Sequence, residues 1–248
     1  MLKLDLFKRR NFSVGNAETL CMYAGLSILF FFLTVFLQQV AGYDALKAGL
    51  TTLPVTIVTF LLSKRFGALA GRIGPRLFMG AGPLIAAGGI LLLLRVDMHP
   101  SYVTDLLPGL LVFALGLSLT VAPLTATVLA DADESDAGIA SAVNNAVARL
   151  AGLVGISVIG VVVASTLVGD NFAPNSESVR AFHEALGICA ALVAAGGVLG
   201  ALGIVNPKRA VEPQRCPGGQ LVGSPQQVAD VPRLHSTTPT TPVPQEAR

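Results

Sequence analysis

Six long apolar runs occupy most of the first 205 residues of the chain, separated by short polar segments. A helix needs about 20 mostly apolar residues to cross a bilayer, and a helix satisfies all of its backbone hydrogen bonds within lipid. The runs therefore predict an all-α membrane protein in which six transmembrane helices form one bundle. The predicted spans are Ala17–Ala41, Gly49–Leu62, Leu77–Leu94, Leu106–Ala130, Gly138–Val168 and Phe182–Val205.

The composition supports this class and argues against others. Hydrophobic residues make up 52% of the chain, charged residues only 13%, and tryptophan is absent, which is rare in soluble domains. The formal net charge of +2 gives no reason to expect a nucleic-acid partner. The cysteines lack the paired spacing of a zinc site or a disulfide framework, and the sequence contains no phosphate-binding loop, HExxH motif or nucleophile elbow. We therefore expect no metal, no cofactor and no catalytic residues, and hence no enzyme activity.

The densest internal cluster of positive charge lies between the second and third runs, in the segment Ser63–Arg76, which we predict to be a loop. Cytoplasmic loops of membrane proteins are enriched in lysine and arginine, so this segment is expected on the cytoplasmic face. An even number of spans places both termini on the same side, and the N-terminal segment, residues 1–16, is also basic. The sequence thus predicts a multi-pass protein of the cell membrane with both termini in the cytoplasm.

The chain changes character at Asn206, where the six-span region 17–205 ends. Prolines recur from Pro207 to Pro244 in a polar stretch that closes in STTPTTPVPQEAR. Such a segment cannot bury enough apolar surface to offset its chain entropy. Residues 206–248 are therefore predicted to be a disordered cytoplasmic tail, with a proline-rich ligand for a partner protein as the alternative.

Two polar residues in the fifth run are the sharpest candidates for a transport cavity. Asn145 and Arg149 are one helical turn apart and share a face. A charged side chain at membrane depth is costly, so this face is expected to meet protein or a water-filled cavity. The alternative is that Arg149 extends to the inner interface or pairs with the acidic segment Asp131–Asp136.

Two polar residues of the first run each have two alternative roles. Gln38 lies at its outer end and is a further cavity candidate, although an amide in this position more often anchors an interface. Glu18, near the inner end, titrates in the relevant range only if it is buried. The commoner explanation is an interfacial carboxylate close to Arg9 and Arg10.

Proline and small residues within the runs predict how the helices bend and pack. Proline removes a backbone donor and bends or breaks a helix, and the predicted spans contain Pro54, Pro83, Pro108 and Pro123. Small residues spaced four apart let helix backbones approach closely, and we note two such pairs. They are Ala148 with Gly152 and Gly196 with Gly200.

The basic segment also carries a resemblance to a known family. The stretch GALAGRIGPR resembles the loop signature of major facilitator superfamily transporters, Gly-x-Leu-x-Asp-Arg-x-Gly-x-Arg, except that Gly71 stands where the family has aspartate. Three further stretches are similar to the second half of fourteen-span drug:proton antiporters of the EmrB/QacA type. The matching loop positions are Gly67, Leu69, Arg72, Gly74 and Arg76, and the further stretches are Phe36–Pro54, Leu119–Asp131 and Ala137–Gly160.

This resemblance implies a function and an incomplete transporter. In the family, six such spans form the C-terminal bundle, spans one and four line the cavity, and the N-terminal bundle carries residues assigned to proton coupling. The expected activity is proton-driven export of a hydrophobic, often cationic, small molecule by alternating access, in partnership with an N-terminal half. The alternatives are a non-transporting six-span scaffold or regulatory partner, or a relic without transport activity.

Overall fold

The computed structural model describes residues 4–166 and 172–206, and six long α-helices account for most of them. All six are long and apolar enough to cross a membrane, which confirms the predicted all-α, six-span fold. The predicted tail 206–248 lies, apart from Asn206, outside the described residues. The helices are α1 (Arg10–Gln39), α2 (Ala45–Ile73), α3 (Pro75–Leu92), α4 (Leu107–Ala130), α5 (Ala137–Thr166) and α6 (Ser176–Gly203).

The helices pack in a pattern that relates the first three to the last three. Helix α1 packs against α5 and α6, helix α4 packs against α2 and α3, and α3 and α6 pack against each other. Exchanging α1, α2 and α3 for α4, α5 and α6 leaves this pattern unchanged. Because each set contains an odd number of spans, the second set crosses the membrane in the opposite direction to the first. The bundle is therefore an inverted repeat of three helices.

Two groups of buried apolar side chains form the core. The larger group includes α1 from Met22 onward, where Phe36 stacks on Phe182 of α6 with ring centroids 4.3 Å apart. The smaller group surrounds Phe12 at the other end of α1 and includes Val128 of α4. Between Phe12 and Met22, α1 carries buried polar residues. These residues form the candidate site described below.

Helices α3 and α4 touch along their backbones at glycines. A Cβ atom on Gly89 would lie 2.7 Å from the Cα of Phe113, and one on Gly116 would lie 2.5 Å from the carbonyl oxygen of Gly82. Both distances are far below van der Waals contact, so any side chain there would force the helices apart. Of the predicted small-residue positions, Gly200 faces backbone in the same way, with 2.5 Å from its Cβ position to the carbonyl oxygen of Met79, whereas Gly152 faces a side chain. A Cβ on Gly152 would lie 2.6 Å from the hydroxyl oxygen of Ser27.

The segment Ser63–Arg76 is not a loop, and that prediction was wrong. Helix α2 continues to Ile73 and α3 begins at Pro75, so Gly74 alone separates them. The charged residues after Leu62 end the apolar run, but lysine, arginine, alanine and leucine are all good helix formers. Proline is well suited to the first turn of α3. Helices also extend into polar sequence at the starts of α1 and α6, which begin at Arg10 and Ser176, several residues before their apolar runs.

All four prolines lie within the candidate membrane spans, as expected. Pro54, Pro83 and Pro123 lie inside α2, α3 and α4. Pro108 lies in the first turn of α4, where a backbone N–H needs no helical partner. A π-helical turn, Tyr102–Leu106, comes directly before α4 within the same candidate span, Tyr102–Ala130, so the expectation that Pro108 bends the span stays a prediction.

Gly74 provides a test of the α2–α3 connection. Its φ angle of +111° suits only glycine, and the Cγ of Asn206 lies 2.6 Å from where a Cβ would stand. We expect Gly74→Ala to destabilise the purified protein by roughly 1–2 kcal/mol, as measured by unfolding in detergent. Gly71→Ala is the matched control, because nothing lies within 4 Å of its Cβ position and alanine is the better helix former. Equal effects of the two changes would contradict this account.

Candidate functional site

Three polar side chains of α1 are buried between the two apolar groups. Asn16 is 4% exposed, and Glu18 and Thr19 are 0% exposed. The Thr19 hydroxyl can donate its single proton to the carbonyl oxygen of Gly15 at 2.8 Å or to Oδ1 of Asn144 on α5 at 2.9 Å. Buried polar groups are costly unless they are hydrogen-bonded. The Thr19–Asn144 contact therefore links α1 and α5 within the membrane-spanning region.

Glu18 has no hydrogen-bond partner on either carboxyl oxygen; Oδ1 of Asn16 also lacks a partner, although its Nδ2 donates to the carbonyl of Phe12. The Glu18 side chain occupies the space left by a glycine of α6, since a Cβ on Gly200 would lie 2.6 Å from Oε2 of Glu18. The same Cβ would lie 2.5 Å from the carbonyl oxygen of Met79, so α1, α3 and α6 meet at this point. Within the described chain, this is a buried acid without a donor or a counter-charge in hydrogen-bond contact.

The expectation that Glu18 is an interfacial carboxylate was therefore wrong. Arg9 and Arg10, which we expected close to Glu18, contact other groups. Arg9 binds the carbonyl of Asp131 and the carboxylate of Asp133, and Arg10 binds the carbonyls of Leu202 and Gly203. A signal was present in the sequence, because the Gly196–Gly200 pair provides room for a side chain from a neighbouring helix.

The predicted pair Asn145 and Arg149 lies on a different side of α5. Both side chains are exposed in the six-helix bundle, whereas the adjacent Asn144 turns toward Thr19 of α1. The structure therefore does not bring Asn145 and Arg149 together with the buried polar residues of α1. Gln38 is also exposed, in the last turn of α1. Sequence reasoning missed Asn144, because only packing distinguishes the two members of an Asn-Asn pair.

The family loop motif connects the α2–α3 turn to the end of α6. Arg76 donates from Nε to the carbonyl of Ala201 at 2.6 Å and from its backbone N–H to Oδ1 of Asn206 at 3.1 Å. A cation is favourable at a helix C-terminus, where carbonyl groups lack helical partners. Gly67 packs near Ala122 of α4. The remaining matched positions, Leu69 and Arg72, are exposed.

The first turn of α1 is joined to the same end of α6. Asn11 and Val205 exchange two hydrogen bonds of 3.0 and 2.9 Å, and Nε of Arg10 donates to the carbonyl of Gly203 at 2.8 Å. On the other side, the backbone N–H of Phe12 donates to the carboxylate of Asp131 at 2.9 Å. We call these contacts the terminal cluster. They close the bundle at the end where α1 begins.

The charges beside the terminal cluster are arranged favourably. The carboxylate of Asp131 lies at the N-terminus of α1, where the helix dipole favours an anion. Hydrogen bonding to Asp133 raises the pKa of Arg9 above its ordinary value, so the guanidinium stays charged. This pair is exposed, and we assign it little stability.

Comparison with known proteins identifies the family. A family model described as Major Facilitator Superfamily matches residues 4–156. The chain belongs to this superfamily. The match includes the α2–α3 motif and both halves of the inverted repeat up to the middle of α5, so the expectation drawn from the loop signature is confirmed.

The similar members of the superfamily are named for export or resistance. The chain is 30% identical over 163 residues to the "Probable actinorhodin transporter" of Streptomyces coelicolor, covering 64% of this chain and 28% of that protein. It is 29% identical over 167 residues to the multidrug resistance protein Stp of Mycobacterium tuberculosis, covering 67% and 31%. It is 28% identical over 197 residues to the multidrug efflux pump LfrA of Mycolicibacterium smegmatis, covering 78% and 39%. The chain thus spans about a third of the length of these relatives.

Proposed function

We propose that the chain forms one six-helix bundle of a secondary transporter and needs a second, N-terminal bundle to transport. The proposal rests mainly on Asn145 and Arg149, which are exposed on a helix long and apolar enough to span a membrane. Placing a charged side chain at the centre of a bilayer costs about 2.5–3.5 kcal/mol on insertion scales. This face of α5 is therefore better suited to a protein partner or a water-filled cavity than to lipid.

The burial of the helices agrees with an unpartnered side. Within the most apolar stretch of each helix, 17% of residues are buried in α2 and 28% in α5, against 44–56% in the other four helices. Helix α2 exposes large apolar side chains, including Phe60 at 80% exposure. Because α2 and α5 are equivalent in the inverted repeat, the two poorly covered helices have matching positions. A second bundle built on the same plan would cover both.

The proposed substrate is a hydrophobic small molecule, exported in exchange for protons by alternating access. The relatives' names, which refer to actinorhodin transport, multidrug resistance and multidrug efflux, support this class. Transporters built from repeats bind substrate near the bilayer midplane, at the interface between repeats. Asn145 and Arg149 are the polar positions proposed to reach that interface, and Gln38, in the last turn of α1, is proposed to line the cavity nearer the membrane surface. The bundle is proposed to lie in the cell membrane with both termini in the cytoplasm, as the basic segments indicate.

Efflux measurements test whether a second bundle is required. We expect the chain alone to give no dye export in membrane vesicles, and co-expression with an N-terminal bundle to give export that an uncoupler abolishes. A blot of native membranes, using an antibody against residues 213–248, should show a band well above the 25.6 kDa of this chain. If the band lies at 25.6 kDa, purification with the same antibody should recover a second membrane protein. A chain truncated after Asn206 is the control. A scaffold that acts through its tail should lose its activity in this variant, whereas a transporter bundle should keep its export.

Gradient-driven export by the chain alone would contradict the proposal. A single band at 25.6 kDa with no membrane partner would also contradict it. Loss of function on tail removal, without any effect of an N-terminal bundle, would support the scaffold alternative.

A further inference from the structure

We propose that Glu18 is a proton-binding site of this bundle, which holds its proton while α1 is packed against α6 and releases it only when the two helices separate. This inference stands apart from the export proposal, since it concerns proton binding by the single bundle. It rests on three observations of the described structure: complete burial of the side chain, the absence of a hydrogen-bond partner, and the surroundings supplied by α3 and α6.

The first step concerns the charge state. An ionised carboxylate is expensive to bury unless it is paired with a cation or accepts several hydrogen bonds. Glu18 has neither, because both of its oxygens are buried without a partner. Its neighbours are backbone and small or apolar groups around Gly196, Gly200 and Met79. A neutral carboxylic acid satisfies these surroundings far better than a carboxylate does.

The second step excludes a nearby counter-charge. Arg76, at the start of α3, donates to the carbonyl of Ala201, and Arg10 donates to the carbonyls at the end of α6. Arg149 is exposed on α5. Helix α4 contains no ionisable residue. Three further titratable groups lie farther along α1 or against it: Cys21 and Tyr23 of α1 itself, and Cys189 of α6, whose thiol donates to the carbonyl of Gly25.

Two helices near α1 carry further ionisable groups, and none of those groups is a hydrogen-bond partner of Glu18. At 1.5 Å per residue, the charged outer end of α6 begins about 24 Å from Gly200. Helix α2 contributes only lysines and arginines near its two ends. The groups on these two helices are Glu177, Arg180, His183 and Glu184 on α6, and Lys47, Lys64, Arg65 and Arg72 on α2.

The third step concerns the ligand. No group of three or more His, Cys, Asp or Glu side chains that could hold a metal ion occurs among residues 4–166 and 172–206. A single carboxyl group is a poor site for Ca²⁺ or Mg²⁺, which need several oxygen ligands. A proton needs only one carboxyl oxygen. The geometry therefore favours a proton over a metal cation.

The fourth step concerns release. Glu18 lies about 12 Å from the first residue of α1, at 1.5 Å per residue. The terminal cluster closes that end of the bundle through Arg10, Asn11 and Val205. Water can solvate an ionised Glu18 only after these contacts, and the packing of Gly196 and Gly200 on α1, have opened. Proton release and separation of α1 from α6 are thus expected to occur together.

The test measures the stability of the full chain in lipid nanodiscs against pH. If the folded protein holds a proton that the unfolded chain gives up, stability must fall as pH rises through neutrality. We expect this slope in the wild-type protein and in the Glu177→Gln control, whose carboxylate is exposed at the start of α6. We expect Glu18→Gln to fold normally and to lose the slope, because the amide has no proton to release.

Infrared difference spectra provide a second readout on the same samples. The wild type and Glu177→Gln should show the carbonyl stretch of a protonated carboxylic acid at neutral pH, and Glu18→Gln should lack it. An unchanged pH slope or an unchanged carboxylic acid band in Glu18→Gln would overturn the proposal. Failure of Glu18→Gln to fold at any pH would also overturn it, because a neutral amide of the same shape should replace a protonated carboxyl group.

Discussion

We expect Gly89→Ala to destabilise the bundle by about 3 kcal/mol, the upper end of the usual cost of overpacking a core. The added methyl group would stand 2.7 Å from the Cα of Phe113 and 2.8 Å from the carbonyl oxygen of Gly109. Both obstacles are backbone atoms of α4, so no side-chain rotation can relieve the clash. Helices α3 and α4 would have to separate. Unfolding by heat or by denaturing detergent, with purified protein, measures the loss.

The adjacent residue provides the control. Gly88 lies in the same helix, and nothing lies within 4 Å of its Cβ position. Gly88→Ala should therefore leave the stability unchanged or raise it by up to about 1 kcal/mol, because alanine is the better helix former. If both alanine variants behave alike, close backbone contact between α3 and α4 does not hold the bundle together.

The second large effect concerns transport. In a protein completed by an N-terminal bundle, Arg149→Ala should reduce efflux by about tenfold, which corresponds to about 1.4 kcal/mol in the transport barrier. Arg149 is exposed on the face of α5 that we propose to line the interface between bundles. Removing the guanidinium would remove the only ionisable group of α5 from that interface. Membrane abundance should not change, since few groups of this bundle cover the side chain.

Two variants separate charge, geometry and nonspecific effects. Arg149→Lys keeps the charge but not the planar group, so an intermediate rate would indicate that charge contributes on its own. Arg180→Ala removes an exposed arginine that pairs with Glu184 near the start of α6, away from the middle of α5. It should transport like the wild type. Unchanged efflux in Arg149→Ala would assign this residue to the membrane interface instead.

Most of the architecture was predictable because apolar run length is a local property. The number of spans, the family and the close contacts at Gly152, Gly196 and Gly200 followed from the sequence, whereas the α3–α4 contacts at Gly89 and Gly116 were not predicted. The helix ends did not, because apolar runs end where charges begin, whereas helices continue through Lys64 and Arg65. The burial of Glu18 was not predictable from neighbouring residues either. It depends on Gly200, which is 182 residues away in the chain and reaches α1 only through the packing of α6.

The candidate transport residues show the same distinction. Helical periodicity places Asn145 and Arg149 on one face, and this holds in the structure. Periodicity does not show which face of α5 packs against α1, so the contact of Asn144 with Thr19 was not predicted. The relation between α5 and a second bundle involves groups that this bundle does not contain, and that relation stays a proposal.

The exchange of hydrogen bonds between Asn11 and Val205 has a mechanical consequence. These residues are 194 positions apart, yet they lie side by side. The path of the chain through the bundle is thus almost a closed ring. A segment joined before α1 and a segment joined after α6 would leave from the same corner of the bundle. Force applied through either segment would therefore act on the bundle at the same place.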